Sequence, residues 1–307
     1  MKTLLTGAFN YSEEQIEKLN SIGCETVFVQ DERVKLDIDV DEIEAVVCNG
    51  LFLYNDISKF KNLKFIQLTS AGFDRAPMDY IKKHNITIKN ARGVYSAPMA
   101  EWVVLKILEI YKNTRFFIKN QENKVWEKDR GLLELTDKVV TIVGCGSVGI
   151  EVAKRLKAFG CVVNGVGRTQ VDSEYIDRFY NMVCLDEALM ESDVVVLSVA
   201  LTEETRHLFD MGRFEVMKDQ AVLVNVSRGA VVDEADLVEA LSRGKFMGVA
   251  LDVMENEPLG DDSELWECDR VLVTPHNSFV SDRVRDRLFD LMVENLVNHL
   301  NNCRKIK

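Results

Sequence analysis

The 307-residue chain is 47% hydrophobic and 29% charged, which is typical of a globular protein and, at this length, of two domains. Its net charge of −12 argues against a nucleic acid or an anionic membrane as a partner, because phosphate groups are bound by basic surfaces. Seven cysteines without a C-x-x-C pair, no signal-peptide pattern and no apolar run of about 20 residues predict a cytoplasmic protein with free thiols and no bound metal.

The first hundred residues alternate short apolar runs with helical patterns. The runs predicted as strands are KTLLTGA, ETVFVQ, AVVCNG, FIQLTS and ITIKN, and SEEQIEKLNSIG between the first two is predicted as a helix. Strands that alternate with helices indicate a parallel sheet. This segment has no glycine cluster that could bind phosphate, so we expect a domain with a different role.

The next segment, APMAEWVVLKILEIYKNTRFF (97–117), is predicted as one long buried helix, followed by a polar loop over 122–138. A second series of six strands then begins, with the runs VVTIV, CVVNGV, DVVVLSVA, AVLVNVS, GVALDV and VLVTP. Strands this uniformly apolar fit a parallel sheet that is buried on both faces. The chain closes with VRDRLFDLMVENLVNHL, an amphipathic helix.

A glycine cluster lies between the first strand of this second series and the helix after it. In VGCGSVG, Gly144 would allow a tight turn, Gly146 would let the backbone approach a pyrophosphate, and Gly149 would let the helix pack on the strand. The loop residues Ser147 and Val148 complete the predicted cofactor contacts at the positive end of the helix. A simple glycine-rich turn is the alternative, but the strand–turn–helix–strand setting favours a dinucleotide site.

The next strand lacks the acid that usually binds the ribose 2′-hydroxyl of NAD. That position is Gly167, followed by Arg168 and Thr169. The missing carboxylate would not repel a 2′-phosphate, and Arg168 could form a charge-assisted hydrogen bond with it. The sequence therefore predicts NADP as the preferred cofactor. The alternative is NAD, in which case Arg168 would be an ordinary exposed arginine.

Reactive side chains follow three later strands of the series. VLVNVSRGA carries Arg228, VALDVMENEP carries Asp252 and Glu257, and VLVTPHNS carries His276. In open parallel sheets, ligands bind beyond the carboxyl ends of the strands, so these side chains can converge on one site. Each alone could be structural, for example a turn carboxylate or a surface arginine. Together with the glycine loop they indicate a catalytic site.

The motifs LTSAGFD, VGCGSVG, NVSRGAVVDEADL, LDVMENEP and TPHNS, in this order, resemble the D-isomer-specific 2-hydroxyacid dehydrogenase family. The resemblance covers essentially the whole chain. It implies an α/β fold of two doubly wound parallel-sheet domains, with a Rossmann cofactor domain (98–280) inserted into a flavodoxin-like substrate domain (1–97 plus 281–307).

The resemblance also implies roles for the candidate residues. His276 would be the acid/base that moves a proton to or from the substrate oxygen, since histidine titrates near neutrality, and Glu257 would hold its ring. Arg228 would bind the substrate carboxylate and carbonyl oxygen, and Asp252 the nicotinamide carboxamide. The substrate carboxylate would also be bound by the backbone N–H groups of Ser70, Ala71 and Gly72.

The function implied is hydride transfer between NAD(P)H and a small 2-oxo acid or D-2-hydroxy acid, with glyoxylate or hydroxypyruvate reduction favoured. Oxidation of D-3-phosphoglycerate is the nearest enzymatic alternative. A dinucleotide-sensing binding protein is the alternative from another class, because a corepressor branch with this fold keeps similar residues. The resemblance further implies a homodimer.

Overall fold

The computed structural model describes residues 1–305, which form two compact units. The first unit consists of Met1–Tyr95 and the carboxyl-terminal segment that begins at Ser281, and the second unit is the continuous stretch Ser96–Val280. The first division thus lies two residues before the expected one, because Ser96 already begins a helix of the second unit. Strands and helices are numbered below along the whole chain.

The first unit is built on a five-stranded parallel sheet with the strand order β2-β1-β3-β4-β5. Its strands are β1 (Lys2–Thr6), β2 (Glu25–Val29), β3 (Ala45–Cys48), β4 (Phe65–Leu68) and β5 (Thr87–Lys89). Its helices are α1 (Glu13–Ser21), α2 (Met78–Lys83) and α9 (Val284–Lys305), and short 3-10 turns cover Leu51–Leu53 and Ile57–Lys59.

Both faces of this sheet are covered by apolar contacts. Leu5 and Val47 point to the face on which α1 and α9 pack, through residues such as Leu19 and Met292. The neighbouring positions, among them Leu4 and Val46, point to the opposite face, where Ile81 of α2 packs. Successive side chains of a strand alternate between faces, so continuous apolar runs are what a two-sided core requires.

The second unit is built on a seven-stranded parallel sheet with the order β12-β11-β10-β9-β6-β7-β8. Its strands are β6 (Val139–Val143), β7 (Val162–Gly167), β8 (Arg178–Asn181), β9 (Val194–Leu197), β10 (Ala221–Asn225), β11 (Phe246–Leu251) and β12 (Val271–Val273). Its helices are α3 (Ser96–Tyr111), α4 (Thr114–Glu122), α5 (Ser147–Ala158), α6 (Leu185–Met190), α7 (Met211–Val216) and α8 (Glu234–Ser242), with 3-10 turns over Met182–Cys184 and Gly229–Val231.

Helices cover this sheet on both sides as well. α3 and α5 pack on one face against alternate strand residues such as Val140 and Val222. α6, α7 and α8 pack on the other face against residues such as Leu197 and Leu223. The predicted α/β fold with two doubly wound parallel sheets is therefore confirmed. Among residues 1–305, no helix combines the length and apolar character that a membrane crossing would need.

Two sequence-based predictions about elements of the second unit were wrong. The helix predicted over 97–117 is two helices, because Asn113 adopts a left-handed conformation (φ 46°) and its side chain donates to Asp129 at 2.8 Å. The sheet has a seventh strand, β8, which was not predicted. It is a half-exposed edge strand that pairs only with β7, so its sequence RFYN lacks the apolar run of a central strand.

Candidate active site

The sheet of the second unit brings the predicted residues to one edge. Gly144 follows β6, Arg168 follows β7, Arg228 comes after β10, Asp252 follows β11 and His276 comes after β12. All these strands are parallel, so their carboxyl ends lie on the same side of the sheet. From β6, the strands that follow in the chain are added first on one side (β7, β8) and then on the other (β9 to β12). The strand order therefore reverses between β6 and β9, and ligands bind at such a point in doubly wound sheets.

The glycine loop has the geometry that a pyrophosphate requires. Gly144 has φ 102°, and a Cβ there would lie 2.7 Å from the backbone of Ser198, while a Cβ at Gly149 would lie 2.2 Å from the Gly144 oxygen. Gly146 precedes α5 without a side-chain cap, and a Cβ at Gly146 would meet no other part of the protein within 4 Å. The first N–H groups of α5 can therefore bind an anion, and these residues fit the dinucleotide.

Cys145 inside this loop turns its thiol away from the anion-binding N–H groups. Its Sγ lies 3.7 Å from the Ile142 oxygen and 3.8 Å from the Val166 oxygen, and a Cβ at Gly165 would lie 2.7 Å from it. Burial raises the pKa of the Cys145 thiol to about 11. The thiol is therefore a packing group of the sheet.

Arg168 is exposed just beyond β7, together with Thr169, where no carboxylate of the strand opposes it. A carboxylate from another loop is within electrostatic reach, and sequence reasoning did not identify it. The pKa of Glu204 is lowered chiefly by its hydrogen bond from Thr202, and the positive charge of Arg168 lowers it further. Glu204 is thus an anion close enough to Arg168 for the two charges to interact.

Arg228 is presented by a turn that a buried amide organises. The Asn225 Oδ1 accepts from Ser227 N–H at 3.0 Å and Oγ at 2.7 Å, and its Nδ2 donates to the Arg228 oxygen at 3.1 Å. The Arg228 guanidinium donates to the Ser227 oxygen at 2.8 Å. After it, Gly229 lies so close to Met254 that a Cβ would be 1.8 Å from the Met254 carbonyl carbon. No pattern in the sequence indicates these supporting bonds.

Asp252 holds the turn that carries His276. Its Oδ1 accepts from the Thr274 hydroxyl at 2.5 Å and from the N–H groups of Asn277 at 2.8 Å and Ser278 at 3.1 Å. Its backbone oxygen accepts from the His276 N–H at 2.8 Å, and His276 has a left-handed backbone (φ 49°). The buried carboxylate therefore fixes the backbone of the histidine, while contact with a nicotinamide stays a prediction.

His276 and Glu257, which the sequence predicts as an acid/base pair, are in hydrogen-bonding contact. The Nδ1 of His276 lies 2.8 Å from Oε2 of Glu257, and both side chains are about one-third exposed. The Oε1 of Glu257 accepts from the Met254 N–H at 3.2 Å, so both oxygens are engaged. Because Nδ1 faces the carboxylate, Nε2 is the ring nitrogen left to exchange a proton with a ligand.

The loop predicted to bind the substrate carboxylate follows β4 in the first unit. The Ala71 oxygen accepts from Asn90 Nδ2 at 2.5 Å, the Gly72 oxygen accepts from Ser70 Oγ at 3.0 Å, and the Ser70 oxygen accepts from Ala91 N–H at 2.9 Å. In the described residues, no hydrogen bond engages the N–H groups of 70–72. The carbonyl oxygens of 70–72 are thus held by hydrogen bonds, and the N–H groups of the same residues are available as donors to a ligand.

Comparisons with known proteins decide the family. Residues 104–278 match the model described as D-isomer specific 2-hydroxyacid dehydrogenase, NAD binding domain. Glyoxylate/hydroxypyruvate reductase A of Arabidopsis thaliana is 30% identical over 297 residues, which are 94% of this chain and 92% of the relative. The chain belongs to the D-isomer-specific 2-hydroxyacid dehydrogenase family.

This family member is also similar to the D-3-phosphoglycerate dehydrogenase of Archaeoglobus fulgidus, with 32% identity over 94% of the chain. It spans only 55% of that relative's length. A solved D-isomer-specific 2-hydroxyacid dehydrogenase of Xanthobacter autotrophicus Py2, in complex with NADPH and MES, has a TM-score of 0.79 at 27% identity, covering 96% of this chain and 94% of that one. The predicted family and the class of nicotinamide-dinucleotide-dependent oxidoreductase are confirmed, and the roles of single residues stay predictions.

Proposed function

We propose that this chain reversibly reduces a small 2-oxo acid to the D-2-hydroxy acid with NADPH, and that glyoxylate or hydroxypyruvate is the substrate. The observation that carries this proposal is the His276–Glu257 pair at 2.8 Å, on the sheet edge that also carries the glycine loop and Arg228. The Arabidopsis relative, named for glyoxylate and hydroxypyruvate reduction, supports the choice of substrate.

Each residue of the pair has a defined chemical task in this reaction. When bound, the dinucleotide supplies a hydride at its nicotinamide ring. Nε2 of His276 gives a proton to the carbonyl oxygen of the substrate, and Glu257 holds the imidazole in the orientation that this transfer needs. The guanidinium of Arg228 binds the carboxylate and polarises the carbonyl group through its several N–H donors.

The remaining candidate residues bind and orient. The N–H groups at Gly146, Ser147 and Val148 hold the pyrophosphate at the start of α5, with Gly144 and Gly149 keeping the turn tight. Asp252 bonds the nicotinamide carboxamide, and the N–H groups of 70–72 bind the substrate carboxylate. In this assignment, 98–280 is the dinucleotide-binding domain and 1–97 with 281–307 is the substrate domain.

The preference for NADP is supported by the end of β7. The strand ends at Gly167 without an acid, and the guanidinium of Arg168 is exposed. A charge-assisted hydrogen bond to the 2′-phosphate would contribute about 1.5–3 kcal/mol, which corresponds to roughly a ten- to hundredfold preference. The nearby Glu204 would reduce this preference, so the lower end of the range is expected.

A cytoplasmic homodimer is the proposed working state. Apolar side chains of α3, α4 and the loop after them are at least 47% exposed, namely Leu105, Ile118, Val125 and Trp126. A contiguous segment with this much exposed apolar surface is typical of an interface with another protein chain. The seven cysteines all have free thiols, as expected in a reducing compartment.

The test is a panel of acids measured with both cofactors. The protein is mixed with NADPH or NADH and with glyoxylate, hydroxypyruvate, pyruvate or 3-phosphohydroxypyruvate, and nicotinamide absorbance is followed. We expect kcat/KM to be highest for glyoxylate or hydroxypyruvate with NADPH. Arg168→Ala should reduce the ratio of kcat/KM with NADPH to kcat/KM with NADH by about tenfold. Arg130→Ala is the matched control, because Arg130 is an exposed arginine that does not follow a strand of the sheet.

Other results of the panel would favour the alternatives. Preference for the phosphorylated acid would favour a phosphoglycerate dehydrogenase, to which the Archaeoglobus relative belongs by name. Binding of dinucleotide without turnover of any acid would favour a sensor of the cofactor. An unchanged cofactor ratio in Arg168→Ala would refute the role of Arg168.

A further inference from the structure

His207 is a second histidine of this sheet edge, and the proposed reaction does not use it. It lies in the loop between β9 and α7 and has a left-handed backbone with φ 48°. Its N–H donates to the Ala230 oxygen at 2.7 Å, and Phe209 N–H donates to the Val231 oxygen at 3.0 Å. The loop therefore runs alongside the residues that directly follow Arg228.

The imidazole of His207 lies between two carboxylates. Its Nε2 is hydrogen-bonded to Glu255, and its Nδ1 lies 3.3 Å from Oδ2 of Asp233. All three side chains are largely shielded, with 39%, 29% and 27% of their surfaces exposed. Asp233 begins α8 as its amino-terminal cap, whereas Glu255 belongs to the loop after β11. The ring thus joins two loops that would otherwise face each other with like charges.

The loop that His207 holds is the one that orients the acid/base pair. The Met254 N–H donates to Oε1 of Glu257 at 3.2 Å, and Oε2 of Glu257 bonds to His276. The peptide between Met254 and Glu255 is held by the close approach of Gly229 on one side. The Glu255 N–H also donates to Oε2 of Glu234 at 3.1 Å, so this peptide is both packed against Gly229 and hydrogen-bonded to Glu234.

We propose that His207 is a positioning residue, whose imidazole joins Asp233 to Glu255 and thereby keeps the Met254 N–H where it orients Glu257 toward His276. The contacts form a continuous path from the His207 ring to the His276 ring through three residues of the same unit, Glu255, Met254 and Glu257. This inference rests on the proposed function, because the orientation of Glu257 affects turnover only if His276 exchanges the substrate proton.

A positioning role and a purely structural role make different predictions. Loss of a hydrogen-bonded contact that only stabilises the fold would lower thermal stability and would leave kcat of the folded protein unchanged. Loss of a positioning contact would lower kcat with little change in cofactor affinity. This loss of kcat would disappear in a protein whose Glu257 has already been replaced, because the Met254 N–H would then have no carboxylate to orient.

The experiment compares His207→Leu, Glu255→Gln and Glu257→Gln, each alone, and His207→Leu combined with Glu257→Gln, in the full chain. Glu255→Gln keeps the size of the side chain and removes its charge, so it tests the same path if His207→Leu does not fold. His84→Leu is the matched control, because His84 is an exposed histidine of the first unit that bonds to the Tyr80 oxygen. The readouts are kcat and KM for the 2-oxo acid, the Kd for NADPH and the melting temperature.

We expect His207→Leu and Glu255→Gln to lower kcat about tenfold, with Kd for NADPH within about twofold of the parent and no effect of His84→Leu. The kcat of the double variant His207→Leu/Glu257→Gln should lie within about twofold of the kcat of Glu257→Gln alone. Two results would overturn this inference alone. One is a further tenfold loss of kcat when His207→Leu is added to Glu257→Gln. The other is an unchanged kcat in His207→Leu and in Glu255→Gln while Glu257→Gln lowers kcat. Unchanged kcat in Glu257→Gln would overturn the proposed role of Glu257 and this inference with it.

Discussion

Cys145 illustrates how the local backbone decides what a side chain inside a binding loop can do. The loop exposes N–H groups at the start of α5, yet the thiol at its second position packs toward the Ile142 and Val166 oxygens. Burial in this position penalises the charged thiolate, which raises the pKa of Cys145 to about 11. A cysteine in a cofactor loop is therefore not automatically a reactive one.

The pH dependence of thiol alkylation tests this assignment. The raised pKa leaves only about one Cys145 thiol in a thousand ionised near pH 8, and the thiolate is the form that iodoacetamide attacks. We expect Cys145 to be alkylated much more slowly than the exposed Cys303 at that pH, and faster as the pH approaches about 11. Mass spectrometry of the labelled peptides measures both rates in one sample. Equal rates for the two cysteines near pH 8 would contradict the burial of this thiol.

Among single residues, the common location of the candidate catalytic side chains could be predicted, but not the bonds that support them. Arg228, Glu257 and His276 each follow an apolar strand, so their common edge is implied by the parallel sheet. The bonds of Asp252 and His207 join residues from different loops, and no periodicity in the sequence specifies how loops approach one another. These supports appear only when the backbone is folded.

Elements that are buried on both faces were the most predictable parts of the chain. β6, β9 and β10 are buried and consist of apolar residues apart from Thr141 and Asn225, and all three were predicted. β8 was missed because an edge strand is half exposed and need not be apolar. The break between α3 and α4 was missed because a single left-handed residue, Asn113, interrupts an otherwise helical apolar pattern.

The turn after β10 is the element whose packing most directly affects the site. A Cβ at Gly229 would lie 1.8 Å from the Met254 carbonyl carbon, so Gly229→Ala must push apart the turn behind Arg228 and the loop that orients Glu257. We expect this variant to lower Tm by roughly 4–10 °C and kcat by at least about tenfold.

Gly212→Ala in α7 is the matched control for this variant. A Cβ there would meet only the Asp210 carboxylate at 3.4 Å, and alanine favours a helix over glycine by up to about 1 kcal/mol. We expect its Tm and kcat to equal or exceed those of the parent, as measured by thermal unfolding and steady-state kinetics. If Gly229→Ala behaved like Gly212→Ala, the close approach of the two loops would be disproved.

At the scale of the whole molecule, the exposed apolar side chains of α4 and the loop after it indicate an interface with another protein chain. Trp126 is 98% exposed, more than any other large apolar side chain among the described residues, and Ile118 in the neighbouring α4 is 51% exposed. An aromatic side chain buries about 150–250 Å² when it enters an interface, so leaving Trp126 in water would be costly. A second copy of the chain is the partner that we propose.

Light scattering after size-exclusion chromatography tests the dimer. We expect the parent to elute with twice the 34.9 kDa mass of the chain. Ile118→Asp combined with Trp126→Ser should shift it to the monomer, because a buried charge and a lost aromatic contact both oppose association. Val183→Ser is the control, since Val183 is 88% exposed and lies in the 3-10 turn over Met182–Cys184, outside α3, α4 and the loop after them. A monomeric parent, or a dimer in the double variant, would contradict the proposed interface.

The most direct test of the proposed reaction is replacement of His276 by asparagine. Asparagine tolerates the left-handed backbone at this position, and its amide can still donate to Glu257, so the variant removes Nε2 and little else. With glyoxylate or hydroxypyruvate as substrate, we predict that kcat falls by about 10²–10⁴ while Kd for NADPH stays within about twofold. Turnover near the parental rate in His276→Asn would contradict the assignment of His276 as the acid/base residue.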